Sequence, residues 1–281
     1  MVATNRIEVK KTYKLFINGA FPRSESGRVF EVHSKKGEFI ANPCLASRKD
    51  LRDSVTAARA AQHGWAKATA YNRGQILYRI AEMLEGRAEQ CAAEISATTA
   101  ITPLKAQSMV SEAIDRWVWY AGWSDKLSAV TGATNPVAGP YYNFTIPEPL
   151  GVVVVTASDS FIDFIDAIAA AVVSGNSVIA LVDGGLSVPA MTFAEVLATS
   201  DLPAGVINIL TGSLDELAPW AASHMDVDGF DISAIGKKKR AELKVAGAEN
   251  LKRIYIADGK LTPSRILAFM EQKTVWHTIG V

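Results

Sequence analysis

The amino-acid sequence predicts an α/β fold, a doubly wound parallel sheet with helices ahead of it and a β-ribbon outside it. Two observations carry this prediction. From Gly151 to Ala257, short β-branched runs alternate with helical stretches, the rhythm of consecutive βαβ units joined by right-handed crossovers. The first run, GVVVVT at 151–156, has no apolar–polar alternation, as a strand covered by helices on both faces requires. A third observation concerns size: 49% hydrophobic residues over 281 positions is enough for a continuous core.

The elements follow in order. Residues 13–32 alternate short apolar and polar pieces around Asn18-Gly19 and Ser26-Gly27, dipeptides that suit tight turns, so short strands are expected there. From Ser47 apolar residues recur at helical spacing, and Ser47 three positions ahead of Asp50 suits an N-cap. Ala- and Leu-rich stretches with apolar stripes continue to about residue 130, so 47–130 reads as mainly helical. Beyond Thr156 the expected order is helix (FIDFIDAIAAAVVSGN), strand (SVIALV), helix (VPAMTFAEVLATSD), strand (GVINIL), short helix (DELAPWAA), strand (VDGFDI), helix (KKKRAELKVAGAEN) and strand (LKRIYIA). GPYYNFTIPEPL at 139–150 and the C-terminal EQKTVWHTIGV stand outside this alternation and read as strands of a separate ribbon. A two-stranded ribbon is marginal alone and exposes an edge, so a partner is expected to cover it.

Charge and cysteine content exclude several classes. The 29 Lys and Arg residues balance 29 Asp and Glu, which removes the positive field that nucleic-acid binding needs. Two cysteines, Cys44 and Cys91, with no CxxC or Cys/His cluster, make neither a disulfide framework nor a zinc site, so a cytoplasmic location is expected. No run of uncharged apolar residues is long enough to span a bilayer, and MVATNRIEVKKTYK has no apolar core for a signal peptide. No membrane partner is expected.

Standard chemical motifs are absent. There is no GxGxxG, and Gly236-Lys237 has Asp231 where a P-loop needs its first glycine. GxSxG and HExxH are missing as well. His224, Asp226 and Asp228 space like the opening of a calcium loop, but Asp231 and Lys237 stand where that loop needs Gly and Glu, so a polar turn is expected and no metal. Asp163 and Asp166 lie three apart on one helical face, a spacing for acid/base work that first-turn placement in the helix dipole explains more simply. Lys237 to Arg240 reads as a solvated helix start. Cys91, in the helical RAEQCAAEI, packs as a small apolar residue, while Cys44 in a loop is a candidate exposed thiol. These residues alone specify no reaction.

The succession of local motifs, however, resembles the NAD(P)-dependent aldehyde dehydrogenases. LFINGAF resembles their N-terminal hairpin and DSVTAARAAQHGWAKATAYNRGQILYRIAEMLE their first helices. PEPLGVVVVTASDSF is similar to the strand and turn that open their cofactor domain, SGNSVIAL to GNTVVxKP, and DLPAGVINILTG to LPxGVxNxxTG. HMDVDGF is similar to the lead into FTGS, and ENLKRIYIADGK to the segment holding ELGGK. The order is collinear over residues 13–260. On this resemblance, residues 1–260 form a Rossmann-like cofactor-domain region, with 139–150 the first ribbon segment and 261–281 the C-terminal oligomerisation strand.

The departures bear on function. Where the resemblance places an oxyanion-hole Asn stands Asp159, whose carboxylate would repel a developing alkoxide. The ribose-binding Lys and Glu fall at Leu181 and Gly184, FTGS appears as FDIS with Asp231 and Ile232 beside the pyrophosphate, and the general-base Glu falls at Ala257. The nucleophilic Cys has no counterpart, because the chain runs from Lys260 to Leu267 with the catalytic domain excised. These departures imply no catalytic residues and a degenerate NAD site without cofactor. Both ribbon pieces remain, with Tyr142, Phe144, Ile146, Val275 and Trp276 as the expected interface. The pattern resembles the nucleophile-free second domain of tandem aldehyde dehydrogenases. It implies a non-catalytic subunit that pairs with a full-length aldehyde dehydrogenase or with itself. Two alternatives stay open: NAD(P)-dependent activity that borrows a partner's nucleophile, and a homodimeric module binding a ligand near Asp159 and Asp231.

Overall fold

The computed structural model describes residues 9–280. The first eight residues, on which part of the expectation of no signal peptide rests, and Val281 lie outside it. A small hairpin of β1 (Val32–His33) and β2 (Phe39–Ala41) precedes the helices α1 (Arg48–Lys67), α2 (Ala70–Glu85), α3 (Ala88–Thr98), α4 (Pro103–Trp123) and the short α5 (Leu127–Thr131). Strands β3 (Ala133–Asn135) and β4 (Tyr141–Pro149) follow. Then come β5 (Val152–Ala157), α6 (Phe161–Val172), β6 (Ser177–Val182), α7 (Ser187–Leu197), β7 (Ile207–Thr211), α8 (Leu214–Ser223), β8 (Gly229–Asp231), α9 (Lys237–Ala248) and β9 (Arg253–Tyr255). A single-turn α10 (Ser264–Leu267) leads into β10 (Met270–Thr278).

Strands β5 to β9 form one parallel sheet in the order β7-β6-β5-β8-β9, so the direction of winding reverses between β5 and β8. The doubly wound expectation holds. Every residue of β5 is buried, and the pleat divides them: Val153 and Val155 join the core that includes Trp65, Trp117 and Phe193, while Val152 and Val154 join the one that includes Leu51, Leu217 and Phe230. Burial on both faces explains the absence of alternation in the sequence, at about 1.5–3 kcal/mol per buried valine.

Helix α1 begins as its residues predict. Ser47 Oγ accepts from the amides of Lys49 and Asp50, and Asp50 Oδ2 accepts from the Ser47 amide at 2.8 Å, a complete capping box. The same Asp50 carboxylate takes the Ser24 hydroxyl at 2.7 Å and so pins the preceding segment. That segment departs from the expected short strands. Asn18 and Gly19, at φ of 52° and 72°, make the tight turn, but among the described residues 13–30 only isolated bridges form. Phe16 exchanges both backbone hydrogen bonds with Ile209, so the segment covers the β7 edge of the main sheet.

The ribbon stands apart from the main sheet and has three strands in the order β10-β4-β3. Strand β10 pairs antiparallel with β4 over its whole length, from Met270 opposite Pro149 to Thr278 opposite Tyr141. Strand β3, which the sequence reading missed, carries Ala-Thr-Asn and has no apolar alternation to announce it. Two devices fasten ribbon to sheet. Gly151, at φ of 137°, turns the chain from β4 into β5 where a Cβ would come within 2.2 Å of Asp228 Oδ2. Asn176, fully buried, accepts from the Gly151 amide at 2.8 Å and donates to the carbonyls of Ala171 and Phe269, each within 3.0 Å.

Candidate functional site

Open α/β sheets bind ligands beyond the carboxyl ends of their strands, where the strand order reverses. Here a crevice of about 300 Å³ opens at that point, beyond β5, β8 and β9. Its walls include Thr156, Ser158, Asp159, Ser160, Ser233 and Ala257. Asp159 is exposed and accepts from the Ser158 hydroxyl at 3.0 Å. Ser160 caps α6 by accepting from the Asp163 amide at 3.2 Å.

The floor of the crevice is a buried ion pair that sequence reading did not anticipate. Asp231, fully buried at the end of β8, accepts from Arg265 Nη2 of α10 at 2.8 Å. Its other oxygen accepts from the Ser233 amide at 2.9 Å and from the Ser233 hydroxyl, which in turn accepts from the Ala257 amide at 2.8 Å. The carboxylate is thereby neutralised and buried beneath the Ser233 and Arg265 side chains that line the crevice. Ile232 points into the core beside Ile235 and Leu243. A buried aspartate at a strand end demands a cation, and the arginine in the apolar run SRILAF is the only sequence signal for it.

The other candidate groups resolve into structure. Asp163 is exposed at the crevice, whereas Asp166 is buried and ion-paired with Arg116, tying α6 to α4. Burial pushes Asp166 up to about 6 against the pull of Arg116 and Arg265. The two carboxylates therefore do not share a site. Asp226 and Asp228 both bind Arg59 of α1, at 2.9 and 2.6 Å, and Asp228 also accepts from the Val152 amide. Among the described residues no three His, Cys, Asp or Glu side chains are grouped to hold a metal ion. In the run Lys237 to Arg240, Lys239 pairs with Asp215 at 2.6 Å and Arg240 donates to the carbonyls of Ser233 and Ile235, so this helix start is partly tied down. Cys44, a candidate exposed thiol, is buried instead, between its amide bond to the Tyr13 carbonyl and the Thr211 hydroxyl that donates to its own carbonyl. Burial also holds the Cys91 thiol up at about 12.

The ribbon register divides the five expected interface residues between two faces. Tyr142, Phe144 and Ile146 share a face with Val275, the cross-strand partner of Phe144, and the Tyr142 and Phe144 rings lie 5.4 Å apart. Trp276 stands opposite Asn143 on the other face, 60% exposed, with its ring 5.7 Å from that of Tyr141. Tyr141 was missed, although its position two residues before Asn143 puts it on that face.

A parallel sheet wound in both directions, with a crevice at the reversal, defines the doubly wound class of α/β domains. Within that class, the model of the aldehyde dehydrogenase family matches residues 21–271, and the chain belongs to that family. Retinal dehydrogenase 2 of Homo sapiens is 31% identical over 273 residues, covering 94% of this chain and 52% of its own length. Cytosolic 10-formyltetrahydrofolate dehydrogenase of Mus musculus is 29% identical, covering 95% of this chain and 30% of its own length. An NAD-dependent aldehyde dehydrogenase from Sinorhizobium meliloti superposes with a TM-score of 0.81 at 25% identity, over 88% of this chain and 50% of that one. The NAD+ complex of a Bacillus cereus aldehyde dehydrogenase superposes with a TM-score of 0.81 at 24% identity, with the same coverage.

The chain thus spans about half the length of the retinal dehydrogenase, and the catalytic domain has no counterpart between β9 and β10, which residues 256–269 join directly. The expectation of a degenerate site without cofactor is corrected. The fold is one solved elsewhere as an NAD+ complex. Two of the grounds for that expectation also fail, since Asp231 is neutralised by Arg265 and Ile232 turns into the core. No helix among the described residues is long and apolar enough to cross a membrane.

Proposed function

We propose that this chain is a non-catalytic aldehyde dehydrogenase homologue, a structural or regulatory subunit that docks on a full-length aldehyde dehydrogenase through its ribbon. The observation that carries this reading is β10, a nine-residue outermost strand with exposed Trp276, beside a β4 that bears exposed Tyr141 and Tyr142. An edge of that length with aromatic side chains invites a further strand or a covering surface. Supporting it, both thiols are buried, so neither can attack a carbonyl substrate as the chain stands. Co-expression with a full-length aldehyde dehydrogenase of the same organism, followed by gel filtration, tests the proposal. Co-elution is expected, and elution of the chain alone in every pairing overturns it.

The crevice favours a second reading, in which the chain carries NAD or NADP and any activity draws on a partner's nucleophile. The hydroxyls of Ser158 and Ser160 suit the polar groups of a nucleotide, whereas Asp159 and Asp163 oppose its phosphates. Calorimetric titration with each dinucleotide decides: a Kd below about 100 μM supports this reading, and no heat at millimolar concentration removes it.

A further inference from the structure

A larger cavity, of about 650 Å³, lies between the first turns of α1 and the face of α8 and shares no lining residue with the crevice. Leu51 and Trp220 give it apolar walls. The Arg48 guanidinium lies 3.8 Å from the centre of the Trp220 ring, which fixes its plane by cation–π contact. Among the described residues Arg48 forms no hydrogen bond or ion pair, so its N–H donors are free. His224 adds another donor: its Nδ1 accepts from the Asp226 amide at 3.2 Å, which leaves the proton on Nε2.

The remaining charges at this cavity are already engaged. Glu216 is held by both outer nitrogens of Arg28, at 2.7 and 3.3 Å, and Glu25 accepts from Ser47 Oγ at 3.0 Å and from Lys49 at 3.5 Å. Arg52 is paired with its neighbour Asp53 at 2.8 Å. The amides of Lys49 and Asp50 are capped by Ser47, so the end of α1 itself offers little. What faces the cavity unpaired is one pre-oriented arginine, one neutral imidazole donor and an indole. A positive group fixed before binding loses little entropy when it takes up an anion.

We propose that this cavity binds a small organic anion, a carboxylate or phosphate monoester on a flat apolar body, with the anion on Arg48 and His224 and the body against Trp220 and Leu51. The full chain is titrated calorimetrically with benzoate, phenyl phosphate and inorganic phosphate. One of the two aryl anions is expected to bind once per chain with a Kd below about 1 mM, with inorganic phosphate at least about tenfold weaker. Which aryl anion binds tells carboxylate from phosphate. Arg48→Ala, at an exposed position, is expected to weaken binding at least about tenfold with only a small change in melting temperature, while Lys105→Ala, at an exposed position that does not line the cavity, leaves binding unchanged. Failure of both aryl anions to saturate at about 5 mM, equal binding by Arg48→Ala, or inorganic phosphate binding as tightly as phenyl phosphate each overturns the proposal.

Discussion

Single side chains carry the largest energetic stakes in this molecule. Arg265 and Asp231 form an ion pair with side-chain exposures of 6% and 0%, so removing one partner leaves a bare buried charge. Arg265→Met is expected to lower stability by about 3–5 kcal/mol, and adding Asp231→Asn is expected to restore part of it, as read from urea unfolding. Lys252 is a milder case. It donates to the carbonyls of His224, at 2.9 Å, and Val227, and burial pulls it down to about 8. A lysine that holds its proton less tightly when folded makes stability rise as pH climbs from about 8 towards the unfolded value near 10.5. Urea midpoints between pH 8 and 10 are expected to show that rise in the native chain and to lose it in Lys252→Met. Both thiols are expected to resist a thiol reagent in the folded chain and to react in denaturant, since Cys44 and Cys91 are buried. The sequence showed which residues depart from the family pattern. It could not show that Asp231 is neutralised, because Arg265 lies 34 positions away in a segment that reads only as a connector.

Elements were legible where a strong local pattern agrees with the packing. The βαβ rhythm, the α1 capping box and the Asn18-Gly19 turn all follow from neighbouring residues. What escaped depends on distant partners. Strand β3 exists because β4 lies beside it, and residues 13–30 cover the β7 edge because Phe16 meets Ile209 there. Asn176 looks unremarkable in sequence yet joins the start of β5, the end of α6 and the connector before β10. Asn176→Ala is expected to cost about 3 kcal/mol in thermal or urea unfolding, because it orphans the Gly151 amide and removes two donated hydrogen bonds. At the ribbon, the register separates Val275 from Trp276. Val275→Lys and Trp276→Lys are therefore expected to differ in the gel-filtration assay, one abolishing co-elution and the other sparing it. Equal effects would show that the partner reads the strand edge instead of a face.

At the scale of the whole molecule, the family resemblance and the ribbon were readable from the order of motifs, and the cavity between α1 and α8 was not. Its arginine and tryptophan are 172 positions apart and meet only because α1 and α8 pack on the same side of the sheet. The ribbon depends on an even longer connection. Strands β4 and β10 are adjacent in space, yet the entire five-stranded sheet lies between them in the chain. Closing so long a loop is entropically unfavourable until the intervening chain has folded, so β10 is expected to join β4 after the sheet has formed, whereas β3 and β4 pair locally. On the docking proposed above, a partner that grips both strands would recognise only finished molecules. Assembly of that kind would act as a check on folding and leave unfinished chains outside the complex.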